Sequence, residues 1–454
     1  SKLGGLLALP VVYNYTLSMG FYAFLFGIVM FLLLVGIWLR SLEQLSVRIT
    51  LIALVTSYFA FQVHPFSWVM TALALGCLES VEYIKQLRFE SGWSGKLRGC
   101  MKLMAKRWYL YAVTLVPAAI HTKIFLNLQD ATTTSTAEKI VEKIGTTNAA
   151  WNYALQRLDI LRDRVVGMFS LSSLVSYSII ELVISVGLLL AIVLLSVLTV
   201  RSKKGTSQHR LRGRLLFLAS CYGVLYLFTK DAMVGGGFVA CRVQLLALLS
   251  LLAWLGSSAE LPRYRPLVYG FSVALVCFAS VYYTSQYQRF SQAIDRELSM
   301  AAEMQEGATY LPVVLPSEQI PATIICEPTP NPFLHADGHF AYRRQSVDLG
   351  NYQGWMGYFP LSFRDNLNPV ESIAVDGRIE LDMNEGLPEL KLDGGEASGM
   401  TVDYVVVVGS LASEADAPEI RSLKKQLDHS YRQVAGDKGA PSVSLFQRVT
   451  PDSL

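Results

Sequence analysis

The sequence predicts an α-helical polytopic membrane protein with about eight spans and a C-terminal extracytoplasmic α/β domain. Hydrophobic residues make up 52% of the chain and charged residues only 17%. Long apolar windows alternate with short basic loops up to about residue 285, and from 286 onwards the composition becomes that of a soluble domain. We therefore predict a transmembrane domain at 1–285 and an extracytoplasmic soluble domain at 286–454.

The spans are predicted from apolar windows that are long enough to cross a bilayer. Eight such windows occur, at 15–39, 49–63, 65–83, 108–126, 169–200, 214–229, 243–257 and 266–284. Lys and Arg concentrate at 85–107 and at 201–214, which the positive-inside rule places in the cytoplasm. The loop at 127–168 balances acids against bases and is predicted to lie outside. Both ends of the chain then fall on the non-cytoplasmic side.

An exterior amino terminus predicts that membrane-embedded sequence precedes this chain. Nothing before Tyr13 has the charged start and cleavage site of a signal peptide. Three explanations stay open: a processed chain, a separate partner subunit, or a piece of a longer gene product.

The second domain is predicted from short β-prone runs between helical segments. A helix is expected at Tyr287–Met304, leaving the last span, and another at Glu419–Val434. Strands are expected at Tyr310–Leu315, Ala322–Cys326, Tyr404–Gly409 and Ser444–Val449. The acidic, Gly-rich stretch Asp365–Gly399 is left unassigned, and the alternation favours a small α/β sheet.

Composition also limits the classes of binding partner that the sequence predicts. The net charge of +3 resides in loops and predicts no nucleic-acid partner. The six cysteines form neither a disulfide framework nor a CxxC pair, and no metal site or cofactor is assigned. A membrane lipid is the expected partner.

Ionisable groups inside apolar windows are candidate functional residues because their burial without a partner is costly. Glu181 lies in the 169–200 window and is either an interfacial carboxylate or a substrate contact. His64 and His121 lie at the outer ends of two spans, where each is either a helix cap or part of one cavity. No third His at ligand spacing accompanies them, which argues against a metal site formed by this pair alone.

A second group of candidates lies near the predicted exterior surface. Lys230 and Asp231 precede three consecutive glycines, Gly235 to Gly237, and Arg242 follows just inside the next span. Exposed backbone amides beside a cation suit a lipid-linked phosphate, and a tight turn with a snorkelling Arg is the alternative. Asn14 at the mouth of the first span is a candidate for binding a polar head group.

Several short motifs are similar to one family. They are Tyr13-Asn14 with Gly20-Phe21, Tyr58-Phe59 up to His64, Pro117-Ala118-Ala119, Gly235-Gly236 with Arg242, and Asn351-Tyr352 with Gly357-Tyr358-Phe359-Pro360. Together they resemble the later two-thirds of bacterial membrane proteins related to GT-C-type glycosyltransferases.

The resemblance implies sugar transfer from a polyprenyl-phosphate donor on the extracytoplasmic face of a bacterial inner membrane. Arg242 and Lys230 would contact the donor phosphate, and His64 and His121 would line the cavity. In that superfamily the catalytic Asp or Glu, which acts as the base, usually lies in the exterior loop after the first span. That loop is expected to belong to the preceding sequence, so no residue of this chain is assigned as the base. The competing interpretation is a non-catalytic scaffold or accessory subunit of a larger envelope complex. A transporter fits less well, because paired midplane charges are lacking.

Overall fold

The structure is a computed structural model that describes residues 8–18, 21–44, 46–89, 92–130, 160–175, 179–201, 206–229, 238–257, 265–315, 336, 338–351, 363–364, 367–375, 389–392, 400–411, 418–437 and 442–449. The chain divides into two compact units, Ser1–Ala279 and Ser280–Leu454, apart from a short exchange at Ile324–Cys326. We call them the helical unit and the sheet unit. The predicted domain boundary at residue 286 falls within a helix that contributes to both.

A long helix lies within or across each of the eight predicted windows. These helices are α1 (Tyr22–Glu43), α2 (Val47–Val63), α3 (Pro65–Phe89), α4 (Trp93–Asp130), α5 (Ile179–Arg201), α6 (Thr206–Phe228), α7 (Val239–Gly256) and α8 (Arg265–Ser299). An additional helical segment occupies 160–170, and short helical turns occur at Leu9–Val12, Tyr15–Ser18, Ser172–Leu174, Met300–Glu303 and Pro369–Ser372.

Five of these helices are long and apolar enough to cross a membrane, which indicates a multi-pass membrane protein. The apolar segments are Tyr22–Leu42, Ile179–Val197, Leu211–Phe228, Val239–Gly256 and Pro266–Glu303. The other three long helices fall short of this standard: α2 is an apolar helix of only 17 residues, and charged residues interrupt α3 and α4. The window predicted at 169–200 also begins too early, since its helix starts at Ile179.

Packing within the helical unit follows the apolar faces. In this unit α1 contacts α2 and α3, α4 contacts α2 and α3, and α6 contacts α7 and α3. The core between them is rich in large side chains that are almost fully buried, including Phe24, Phe31, Trp38, Tyr222 and Tyr226. Because α1 and α3 both begin at the end that carries Phe24 and Phe66, they run in the same direction with α2 returning between them.

The sheet unit contains a five-stranded mixed sheet. Its strands are β1 (Thr309–Val314), β2 (Val347–Asp348), β3 (Tyr404–Val408), β4 (Tyr431–Asp437) and β5 (Val443–Arg448), in the order β2-β1-β3-β5-β4. β1 pairs in parallel with β2 and β3, and β5 pairs antiparallel with β3 and β4. All five residues of β3 are buried, as expected for a central strand covered on both faces. Helices α9 (Gly338–Arg344) and α10 (Pro418–Ser430) also belong to this unit.

The small sheet confirms the coarse prediction for this region, and three of the predicted strands correspond to β1, β3 and β5. The strand predicted at Ala322–Cys326 lies outside the described residues. The helix predicted at Glu419–Val434 is wrong at its end, because Tyr431 begins β4 instead. The Tyr431 hydroxyl donates to the Val402 carbonyl at 2.9 Å inside the core, and pairing with β5 is the alternative to another helical turn.

Candidate functional site

Arg242 is a buried cation in the first turn of α7. Only 8% of the surface of this residue is exposed. The guanidinium carbon lies 4.4 Å from the ring centre of Phe21, 5.2 Å from that of Phe24 and 5.9 Å from that of Phe66. These distances are typical of cation–π contacts, so three rings from α3 and the start of α1 surround one charge. We call Phe21, Phe24 and Phe66 the aromatic cage.

The start of α7 is shaped around this cage. Phe238, the residue before the helix, has a left-handed backbone with φ of 58°, which is uncommon for residues other than glycine, Asn or Asp. That conformation accompanies a ring contact of 5.8 Å between Phe238 and Phe21. The backbone of Arg242 then donates to the Phe238 carbonyl. Arg242 is therefore held under the rings from the first turn of its helix.

The charge of Arg242 has no acidic partner in the described part of the chain. None of the ion pairs found there includes Arg242, and its Nε is buried without an acceptor. The terminal nitrogens are not among the fully buried unpaired atoms, so they keep access from outside the cage. Lys230 and Asp231 lie outside the described residues, together with the glycines that follow them.

His64 shares two rings of the cage. Its imidazole meets Phe24 edge-on at 5.5 Å and Phe66 at 6.2 Å. The backbone of His64 is extended, as expected for a residue before proline, and ends α2 by donating to the Ala60 carbonyl. Its Nδ1 accepts the Ser67 backbone N–H at 3.2 Å. His64 therefore caps the start of α3, with Pro65 in the first helical position.

Close helix packing brings α1 against this cap. A Cβ added to Gly27 would lie 2.4 Å from the Ser67 hydroxyl oxygen and 3.4 Å from the His64 Cβ. No such contact exists at Gly36, which lies further along the same helix. The small residue at 27 is thus required by the approach of α3.

The remaining sequence candidates lie on other segments of the helical unit. Asn14 is buried, accepts the Leu17 backbone N–H and donates to two preceding carbonyls, so it shapes the local turn. Glu181 is 1% exposed in the first turn of α5, where the helix dipole favours a negative charge. His121 lies in α4, and its side chain is outside the described residues. Its proximity to His64 stays a prediction.

A polar cluster two residues beyond Arg242 was missed at the sequence level. Gln244 is buried, accepts from the Ser172 hydroxyl at 3.0 Å and from the Ser173 backbone at 2.6 Å, and donates to the Gly167 carbonyl at 2.7 Å. This amide ties the segment before α5 to α7. A buried Gln in an apolar window is the signal that would have revealed it.

A second buried cation lies at the other end of α1 and α3. Arg107, placed in a basic loop by its sequence, is only 4% exposed and pairs with Glu79. Glu79 also accepts from the Trp38 indole at 2.6 Å, and Arg107 donates to the Ser41 hydroxyl at 2.8 Å. We call Trp38, Ser41, Glu79 and Arg107 the paired-arginine network. The acid inside the 65–83 window was the signal that sequence reasoning overlooked.

The sheet unit has a half-buried carboxylate of its own, at Asp348. Asp348, at the end of β2, accepts the Gly350 backbone N–H at 2.9 Å and hydrogen-bonds the Tyr310 side chain. Burial raises the pKa of Asp348 to about 6, against the opposing effect of these hydrogen bonds. Arg344, four residues earlier in the chain, donates to the carbonyls of Ala301 and Ala302 and so caps a helical turn.

Among the described residues, no group of three His, Cys, Asp or Glu side chains is placed to hold a metal ion. Comparison with protein-family models, with curated proteins and with solved structures finds no match for this chain. The function is therefore inferred from the residues around Arg242.

Proposed function

We propose that this chain binds the phosphate of a lipid-linked sugar at the aromatic cage and takes part in glycosyl transfer of the GT-C type. The observation that carries the proposal is the buried Arg242, whose charge meets three rings and no described carboxylate. A guanidinium with open terminal nitrogens suits a phosphate group, because it offers parallel N–H donors.

The chemistry assigned to Arg242 is stabilisation of charge. When a sugar leaves a polyprenyl phosphate, negative charge grows on the departing phosphate, and a fixed cation in a water-poor site stabilises it. The general base that activates the acceptor is not assigned to any residue of this chain. The finer arrangement belongs to the same proposal: eight spans in a bacterial inner membrane, with the cage end and the sheet unit extracytoplasmic.

The test is binding of a long-chain polyprenyl monophosphate to the full chain in phosphatidylcholine nanodiscs, with the uncharged polyprenol as the lipid control. We expect the phosphate, and not the polyprenol, to raise the unfolding temperature. The substitution Arg242→Met should abolish that shift, and Arg40→Met, which changes an exposed Arg in α1, should keep it. Equal shifts from both lipids would overturn the proposal.

One observation favours the alternative of a non-catalytic scaffold or accessory subunit. The described residues that contact Arg242 and His64 include no carboxylate to act as a base. In that case the chain would bind the lipid phosphate for another subunit. Donor turnover by the purified chain separates the two functions, because a scaffold binds the polyprenyl phosphate and releases no sugar.

A further inference from the structure

We infer that His64 is the second hydrogen-bond donor of the phosphate site, held in one tautomer by its role as a helix cap. This inference rests on the proposed function, since it names a further residue for the same anion. It also goes beyond that function, because it assigns the side chain a defined proton and a defined atom.

The cap fixes the position of the proton. A backbone N–H can only donate, so the Nδ1 that accepts from Ser67 N at 3.2 Å carries a lone pair. The neutral imidazole then carries its proton on Nε2. The Ser67 hydroxyl lies at the same 3.2 Å from Nδ1 and adds a second contact to that face of the ring. His64 is therefore an Nε2–H donor.

The donor is open to a ligand. Nε2 has no hydrogen-bond partner among the described residues, and it is not among the fully buried unpaired atoms there. His64 itself is partly exposed. The ring lies against Phe24 and Phe66, the same two rings that face the Arg242 guanidinium. Two open donor groups thus share one aromatic wall, and neither has an acidic neighbour in the described chain.

A phosphate group matches this pair. Its oxygens accept several hydrogen bonds at once, and a charged acceptor makes each of them stronger than a bond between neutral groups. Arg242 would supply the charge and His64 a directional neutral donor. The phosphate could be that of a polyprenyl lipid or free phosphate, since both present the same oxygens.

Two substitutions separate the cap from the donor. Asn is a strong cap, so His64→Asn keeps an acceptor for the Ser67 N–H and removes the Nε2 donor. Gln reaches further, so His64→Gln places an amide N–H near the Nε2 position and weakens the cap. A purely structural role predicts that Asn is the better replacement, and a donor role predicts that Gln is.

The measurement is the dissociation constant of the polyprenyl monophosphate for the full chain in nanodiscs, with the unfolding temperature of each unliganded variant. We expect His64→Asn to unfold near wild type and to bind roughly tenfold more weakly, as for loss of one hydrogen bond to a charged group. We expect His64→Gln to unfold at a lower temperature and to bind within about threefold of wild type. Competition by inorganic phosphate with the same order of variants would identify free phosphate as the source.

The outcomes are distinguishable. If His64→Asn binds like wild type while Arg242→Met does not, His64 is a cap only and the proposed function stands. If Arg242→Met also binds like wild type, both proposals are wrong. Equal weakening by Asn and Gln, in proportion to the loss of thermal stability, would overturn the donor role.

Discussion

Arg107 and Arg242 are buried to a similar extent in one bundle, and their charges are balanced in different ways. Arg107 has a carboxylate, a hydroxyl and the Trp38 ring, whereas Arg242 has three rings and no described acid. α1 and α3 contribute to both sites, about 20 Å apart at 1.5 Å per residue. The comparison shows that burial alone does not mark a binding site. A buried cation whose N–H donors have no described acceptor does.

Magnitudes support this distinction. Removing an ion from water costs several kcal/mol in a protein interior, and a desolvated cation–π contact contributes about 2 kcal/mol. Three such contacts around Arg242 are of the same order as this cost, and a bound anion would add the charge pairing that the rings do not supply. In the paired-arginine network the acid is already built in, so the site is closed to ligands.

The largest effect is expected from opening the network. The substitution Glu79→Ala leaves Arg107 buried without its carboxylate and should lower the free energy of unfolding by roughly 3–5 kcal/mol. The measurement is reversible unfolding of the full chain in detergent, followed by tryptophan fluorescence.

Glu82 provides the matched control, one turn further along α3. Its side chain is 23% exposed against 4% for Glu79, although it also pairs with an arginine, Arg214. Glu82→Ala should therefore cost about 1 kcal/mol, as for a partly solvated pair. The double substitution Glu79→Ala with Arg107→Met should recover part of the loss. Equal costs for the two acids would show that burial of the pair is not what matters.

Asp348, a carboxylate that accepts hydrogen bonds from a backbone N–H and a tyrosine, extends the comparison to the sheet unit. Because burial raises the pKa of Asp348 from 3.8 to about 6, the folded state holds its proton more tightly than the unfolded state. This contribution to stability is complete below pH 4 and is lost as the pH rises through 6. At about 1.4 kcal/mol per pKa unit, the loss is at most about 3 kcal/mol.

Amide exchange of the β1 and β3 segments, corrected for the intrinsic exchange rate, measures this loss in the full chain. Asp348→Asn keeps an acceptor for the Gly350 N–H and removes the titrating carboxyl group. The protection of the β1 and β3 amides in this variant should therefore not change between pH 4 and 6.5. A wild-type profile that is equally flat would contradict the assigned pKa.

The cage end can be tested through packing instead of charge. Gly27→Ala forces a Cβ into the Ser67 side chain, and overpacking of this kind costs about 1–3 kcal/mol. Gly36→Ala is the matched control, because open space surrounds that position in the same helix. Unfolding in detergent should separate the two variants. If they unfold alike, α1 does not approach the cap as closely as described.

Local sequence predicts the elements whose partners are local. The run Tyr404–Val408 is apolar on both faces, and that pattern identifies a central strand without further knowledge. The end of α10 was misplaced because Tyr431 is drawn into β4 by pairing with β5, a contact between segments that only the fold brings together. Arg107 reads as a loop cation for the same reason, since Glu79 belongs to another helix. The sequence shows which residues are charged, and the fold determines which of these residues form pairs.

The smallest effect on stability is expected at Arg242 itself. Arg242→Met removes a buried charge that has no described acid and leaves a flexible apolar side chain to pack on the cage. The free energy of unfolding without ligand should change by less than about 1 kcal/mol, because lost cation–π contacts are offset by relief from desolvation. A loss as large as that of Glu79→Ala would mean that Arg242 already has a partner. Near-equality with wild type would mean that the charge is kept for a ligand.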